Sequence, residues 1–142
     1  MTTNQVRPQD CADCENCPLR VHWMREGCWQ PVPIQHATDP DTSIVFVGDG
    51  PTKTAFAEGR AFSGQEGIYL LNEVKELGHQ RKDFGWAYTV ACRWPNDDPS
   101  AYLAKLRASN RKRVRQGQDP IQSPVTACAP YRKWALEDYP RT

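Results

Sequence analysis

Residues 43–52, SIVFVGDGPT, decide what kind of chain this is. Ile44 to Val47 form an unbroken apolar run that stops at Gly48-Asp49-Gly50-Pro51. Continuous rather than alternating apolarity predicts a strand buried on both faces, the pattern of parallel sheets. A glycine-rich turn at the carboxyl end of such a strand is where α/β proteins place ligands. An ordinary tight turn has the same composition, so the turn alone assigns no site.

The chain downstream extends the pattern. In residues 59–81, GRAFSGQEGIYLLNEVKELGHQR, Ser63 and Glu66 have capping-box spacing. Ile68, Leu71, Val74 and Leu77 recur on one helical face, and Gly78 suits a helix end, so a helix is expected over 65–77. Residues 86–95, WAYTVACRWP, read as a second strand over 86–92 ending in Cys92. Strand, helix and strand at this separation predict a right-handed parallel unit. Asp98-Pro99 then marks a helix start, and residues 124–138 read as a last helix carrying Cys128 near its start. The fold class expected is α/β.

Length and composition bound the rest. The 142 residues allow one domain with a modest core. The chain has no apolar run long enough for a membrane span. The opening MTTNQVRPQD lacks an apolar signal-peptide core, so a cytoplasmic location is expected. Residues 1–98 carry nine Lys and Arg against fourteen Asp and Glu, a net −5, while 99–142 carry nine against three, a net +6. A basic rear suits a polyanion, although two oppositely charged solvated faces give the same numbers. Lys105, Arg107, Arg111, Lys112, Arg113 and Arg115 place six cations within eleven residues. Phosphate contacts would relieve their repulsion; the bland reading is a solvated helix face or basic loop. No aromatic residue interleaves 103–118, which favours backbone contacts over base stacking.

Residues 1–42 look irregular, with five prolines and four of the six cysteines. A metal staple would help such a segment hold. Cys11, Cys14 and Cys17 stand three apart, with Cys28, Cys92 and Cys128 distant. A zinc ribbon needs a second Cys-x-x-Cys knuckle, and the second half of the chain has none. Disulfides conflict with a reducing compartment. An iron–sulfur cluster accepts one local pair plus two remote cysteines, but spacing leaves one cysteine too many among the first three.

Five short pieces in series resemble one family, the iron–sulfur, family-4 uracil-DNA glycosylases. CENCPLR resembles its Cys-x-x-Cys-x-Leu opening, and IVFVGDGPT its strand and Gly-Glu-Ala-Pro-Gly turn. EGRAFSGQEGIYLLNEV resembles its Gly-Arg-Pro-Phe-x-Gly helix start, VACRWP its Lys-Cys-Arg-Pro-Pro segment, and SPVTACAPY its Cys-x-Pro-Tyr helix. The resemblance covers roughly 11–142 and implies the amino-terminal part of a three-layer, parallel-sheet glycosylase-like fold. Residues 1–42 would be the cysteine-rich segment and 43–142 the α/β part, with a basic insertion at 99–120.

The same resemblance implies that Cys14, Cys17, Cys92 and Cys128 hold a structural 4Fe-4S cluster, with Cys11 and Cys28 spare. Exchange of Cys11 for Cys14 or Cys17 stays open. It puts Asp49 in the water-placing acidic position and Phe62 in the base-stacking position; a turn-stabilising Asp and a core Phe are the plain alternatives. Such enzymes flip the nucleotide out and cut the sugar–base bond. Two departures stand out. The base-reading Asn expected just before Cys92 is missing, with Tyr88, Thr89 and Val90 there instead, and Thr52 replaces the second glycine of the turn. The 142 residues also contain no His-Pro-Ser tripeptide, and YPRT at 139–142 resembles the lead-in to the family's next strand. The expectation is a fold completed by a second polypeptide. Related domains sit at the front of some bacteriophage DNA polymerases. Two functions follow: a non-catalytic or split iron–sulfur DNA-binding module in replication or repair, or an active glycosylase whose missing motif a partner supplies.

Overall fold

The computed structural model describes residues 6–38 and 44–138. The element order is α1 (Pro8–Cys11), α2 (Pro18–Arg25), β1 (Val45–Gly48), α3 (Lys53–Glu58), α4 (Gln65–Glu76), β2 (Gly85–Tyr88), α5 (Pro99–Arg115) and α6 (Pro124–Lys133). The expected continuation of the last helix to 138 runs on as a wider π-type turn over Trp134–Asp138. Residues 139–142, read as the lead-in to another strand, lie outside the described residues.

β1 and β2 pair in parallel, Val45 opposite Gly85 through Gly48 opposite Tyr88. The helix between them makes the α/β unit that the apolar pattern predicts. On its other side β2 meets Gln35 in an antiparallel bridge, with Gln35 and Trp86 exchanging two 2.8 Å backbone hydrogen bonds. β2 is therefore central among the described strands and buried along its length. β1 is not buried on both faces as expected. Ile44 and Val47 are 54% and 48% exposed, and one edge of β1 carries no partner among the described residues.

Several local expectations are corrected by packing. α4 covers almost the whole of the expected span, but its N-cap is Gly64, not Ser63. Ser63 donates to the Arg60 carbonyl and Glu66 accepts from the Thr52 hydroxyl, so neither completes a capping box. The inward face of α4 is Gly67, Leu70, Leu71 and Val74, whereas Ile68 and Leu77 are 51% and 76% exposed. β2 ends at Tyr88, four residues before Cys92, where the backbone turns toward the cysteines.

The front segment is more ordered than its prolines suggest. Pro8 and Pro18 each occupy the first turn of a helix, where a missing N–H costs nothing. α2 delivers Leu19 and Trp23 into the main core beside Phe56, Trp86, Val90 and Trp94. Full burial of side chains this size contributes roughly 1.5–3 kcal/mol each. A second cluster joins Ile34, Ala87, Tyr131 and Ala135. Among the described residues no helix is long and apolar enough to cross a membrane.

Candidate metal centre and base pocket

Three backbone features bring remote cysteines together. A single turn of 3-10 helix, Cys14–Asn16, ends at Cys17, and the Asp13 amide donates to the Ala127 carbonyl of α6 at 2.8 Å. Beyond β2 the chain crosses toward the first turns of α6. There the Ala91 amide donates to the Cys128 Sγ at 3.4 Å. Cys14, Cys17, Cys92 and Cys128 consequently line one apolar cavity, walled by Pro8, Pro31 and Pro124 among others. Cys11 and Cys28 are not in that wall: Cys11 packs beside the second core cluster and Cys28 is exposed.

All four thiols are held up by burial. Cys14 is pushed up to about 11, chiefly by desolvation and next by neighbouring Cys128 and Cys17. Cys92 is raised well above its ordinary value, by burial first and then by Cys128, Cys17 and Cys14. Burial likewise leads the upward shifts of Cys17 and Cys128. Arg20 favours the Cys14 thiolate and Arg132 that of Cys128, but burial outweighs both; a metal-sulfur group would bind the thiolates and release the protons.

The donor set tests which group fits. A single tetrahedral zinc, with Zn–S about 2.3 Å, would draw its sulfurs to within roughly 4 Å of one another. Among the described residues no three His, Cys, Asp or Glu side chains stand close enough to hold a metal ion as they are placed. A four-iron cluster takes one thiolate at each iron around a larger cage, and four thiols spaced round a cavity suit it. Arg20 and Trp29 also line the cavity; the buried Arg20 Nε has no acceptor, and the Trp29 indole favours the Cys92 thiolate. A sulfur-rich anion in the cavity would offer Arg20 an acceptor. The residues fit the cluster that the resemblance implies.

The candidate base pocket lies at the carboxyl ends of the two strands, where Gly48 and Tyr88 meet Phe62. Phe62 sits at φ 55°, in the left-handed region, and its amide donates to the Tyr88 hydroxyl at 2.7 Å. The Tyr88 ring lies flat on Phe62, with centroids 4.9 Å apart and planes 11° apart. Trp86 abuts Phe62 as well, at 5.4 Å and 58°. The Phe62 carbonyl is also fixed. Arg81 donates to it at 3.5 Å and to the Ala61 carbonyl, while Gln35 accepts from the same guanidinium at 2.7 and 3.1 Å. Gly67 is required here, because a Cβ would stand 1.5 Å from the Phe62 carbonyl oxygen.

Asp49 lies exposed on the turn after β1. Its carbonyl accepts from the Trp94 indole at 3.1 Å. Gly50 allows that approach, since a Cβ there would meet the Trp94 ring at 2.7 Å.

The six cations fall on α5, whose start is the expected one: Asp98 caps it through the Ala101 amide at 3.0 Å and Pro99 is its first residue. At about 100° per residue, Arg107, Arg111 and Arg115 share an arc of roughly 80°, which Lys112 and Lys105 continue. All five are exposed, opposite the side that packs Tyr102 and Leu103. Arg113 points elsewhere and donates to the Asp119 carbonyl at 2.7 Å. Asn110 grips the returning chain through both atoms of its amide, at 2.7 and 2.9 Å to Ile121. The first turns of α5 lie near the cysteines, with Tyr102 packed on Trp94 at 5.6 Å.

Sequence reading missed Trp29, Arg20, Arg81 and the packing partner role of Tyr88. Only Tyr88 carried a signal, as the residue standing near the expected Asn.

Comparison with known proteins adds an independent line. A family model described as the uracil DNA glycosylase superfamily matches residues 35–141. A Type-4 uracil-DNA glycosylase from Thermotoga maritima is 42% identical over 84 residues, 59% of this chain and 40% of the relative. A Type-4 uracil-DNA glycosylase from Sulfurisphaera tokodaii is 32% identical over 93 residues, 65% of this chain and 33% of the relative. The matches thus span well under half of either curated relative.

Proposed function

Because the chain belongs to the uracil-DNA glycosylase superfamily, we propose that it is an iron–sulfur, DNA-binding module of that superfamily whose base pocket is closed by its own Tyr88. The observation that carries this reading is the flat Phe62–Tyr88 stack. A flipped base needs an open aromatic face, and here a phenol anchored by a 2.7 Å hydrogen bond covers one face while Trp86 abuts the ring. Entry of a base would require breaking that bond and swinging Tyr88 out of a core in which it is buried.

Cys14, Cys17, Cys92 and Cys128 would hold the 4Fe-4S cluster. Bound there, the cluster supplies a covalent cross-link between the front segment, the chain after β2, and α6. The exposed cationic face of α5 would meet DNA phosphates, positioning the module without reading bases. One edge of β1 carries no partner among the described residues, next to exposed Ile44 and Val47, and a further strand, in cis or from a second polypeptide such as a DNA polymerase, would pair with it.

Incubation with uracil-containing single- and double-stranded oligonucleotides, followed by abasic-site cleavage, tests the reading. The expected result is DNA binding with no uracil release. Robust excision abolished by Asp49→Asn would establish the enzyme instead.

A further inference from the structure

The cysteine cavity has a feature that four ligands alone do not require. Arg20 and Trp29 both line it; the buried Arg20 Nε reaches no hydrogen-bond acceptor, and the buried Trp29 indole finds only the Cys92 thiol, whose charged form it favours. The two side chains are organised as a pair, the Arg20 guanidinium lying 5.3 Å from the centroid of the Trp29 ring. Burying a donor unpaired costs about 1–3 kcal/mol, more for a charged group. An acceptor inside the cavity would remove that cost for Arg20 Nε. Among the side chains that line it none carries an oxygen, and the sulfurs of the four cysteines are the acceptors they offer.

We infer that Trp29 and Arg20 are N–H donors to the sulfurs of the group held by Cys14, Cys17, Cys92 and Cys128, and that they set its electronic character as well as its retention. The inference rests on the cluster reading above. Trp29 faces the Cys92 side, where its indole already favours the thiolate against the burial that opposes it. Arg20 brings a fixed positive charge next to a net negative group and draws the indole into place by stacking. Hydrogen bonds to cluster sulfurs and local positive charge both favour added negative charge, and so raise the reduction potential.

The test uses the intact chain purified anaerobically. Trp29 is changed to Phe, and separately to its benzothiophene analogue, which keeps the ring shape without an N–H. Arg20→Met removes the second donor and the charge. Iron content is read first. Resonance Raman spectra in H2O and D2O and the reduction potential follow. Deuterium-sensitive iron–sulfur stretching bands in the wild type should lose part of that sensitivity in each variant, and each potential should move to more negative values, while Cys28→Ser changes neither. Variants that keep full iron with unchanged deuterium response and unchanged potential would overturn this inference and leave the cluster reading standing. Wild-type protein without iron would overturn both. Should Trp29→Phe lose iron through poor packing, the isosteric analogue decides.

Discussion

The Ala91 amide donates to the Cys128 sulfur at 3.4 Å across 37 residues of chain. That one contact fixes the thiol of α6 against the backbone that carries Cys92, so two cysteines with no sequence proximity share one cavity. It also leaves the Cys128 sulfur acting as a hydrogen-bond acceptor, the role it would keep as a thiolate.

Purified anaerobically, the protein should be brown, with about four irons per chain. Alanine at Cys14, Cys17, Cys92 or Cys128 should bleach it and lower the melting temperature, because the cross-link between front segment and α6 is lost. Alanine at exposed Cys28 should leave iron and melting temperature unchanged. Elemental analysis and visible absorption read the outcome, and a colourless zinc-containing wild type would refute the cluster.

The phenol of Tyr88 accepts from the amide of Phe62, which is held at positive φ. Tyr88→Phe should keep the stacked ring yet orphan that amide. We expect a loss of about 1–3 kcal/mol in urea denaturation, the penalty of an unsatisfied buried donor. A loss below ~0.5 kcal/mol would mean that water replaces the phenol.

Gly67→Ala should be far more damaging than an ordinary helix substitution. Alanine favours a helix by about 1 kcal/mol over glycine, but here the added carbon would overlap the Phe62 carbonyl oxygen. The turn and α4 must separate, and destabilisation of about 3 kcal/mol or more is expected. Equal or greater stability than the wild type would show that the turn yields freely.

Exchanging Arg107, Arg111 and Arg115 for glutamine should weaken DNA binding and flatten its salt dependence. Each lost phosphate contact reduces the slope of log K against log salt by about 0.9 on duplex and about 0.7 on single strands. Fluorescence anisotropy at several salt concentrations measures the slope. An unchanged slope would leave α5 as a solvated face, and a drop in binding without a slope change would point to helix damage. Arg113→Gln should matter less, since its guanidinium already serves the Asp119 carbonyl.

Alkaline stability should reflect two buried phenols. Tyr88 and Tyr131 are each pushed up to about 12, mainly by desolvation and against the hydrogen bonds they accept from Phe62 and Ile34. Their folded values lie above the unfolded value of about 10. The contribution is therefore fully present below pH ~10 and is lost as pH rises through the folded value. Absorbance titration should show tyrosines ionising late, together with unfolding, and Tyr88→Phe should remove one of them. Ionisation of all five tyrosines near pH 10 would contradict this burial.

Much of the fold was legible along the chain. The apolar run at Ile44–Val47, the glycine turn, the span of α4, and the Asp98-Pro99 start of α5 follow from residues within a few positions of one another, where spacing and propensity act directly. The Cys14–Cys17 spacing is local in the same sense. Ser63 and Glu66 show the limit: their capping-box spacing was real, but Thr52 and the Arg60 carbonyl, brought in by the fold, offered better partners.

Sequence alone thus determined the α/β pattern, the cationic side of α5, and a set of thiols in search of a metal. Only the tertiary structure decided that Cys11 lies outside the cavity wall, that Tyr88 covers Phe62, and that Trp29 and Arg20 line the cavity with the four cysteines. The physical reason is range. Helix faces and caps depend on neighbours a turn away, whereas desolvation, ring stacking and donor satisfaction depend on which distant segments pack together, and no spacing along the chain encodes that packing directly.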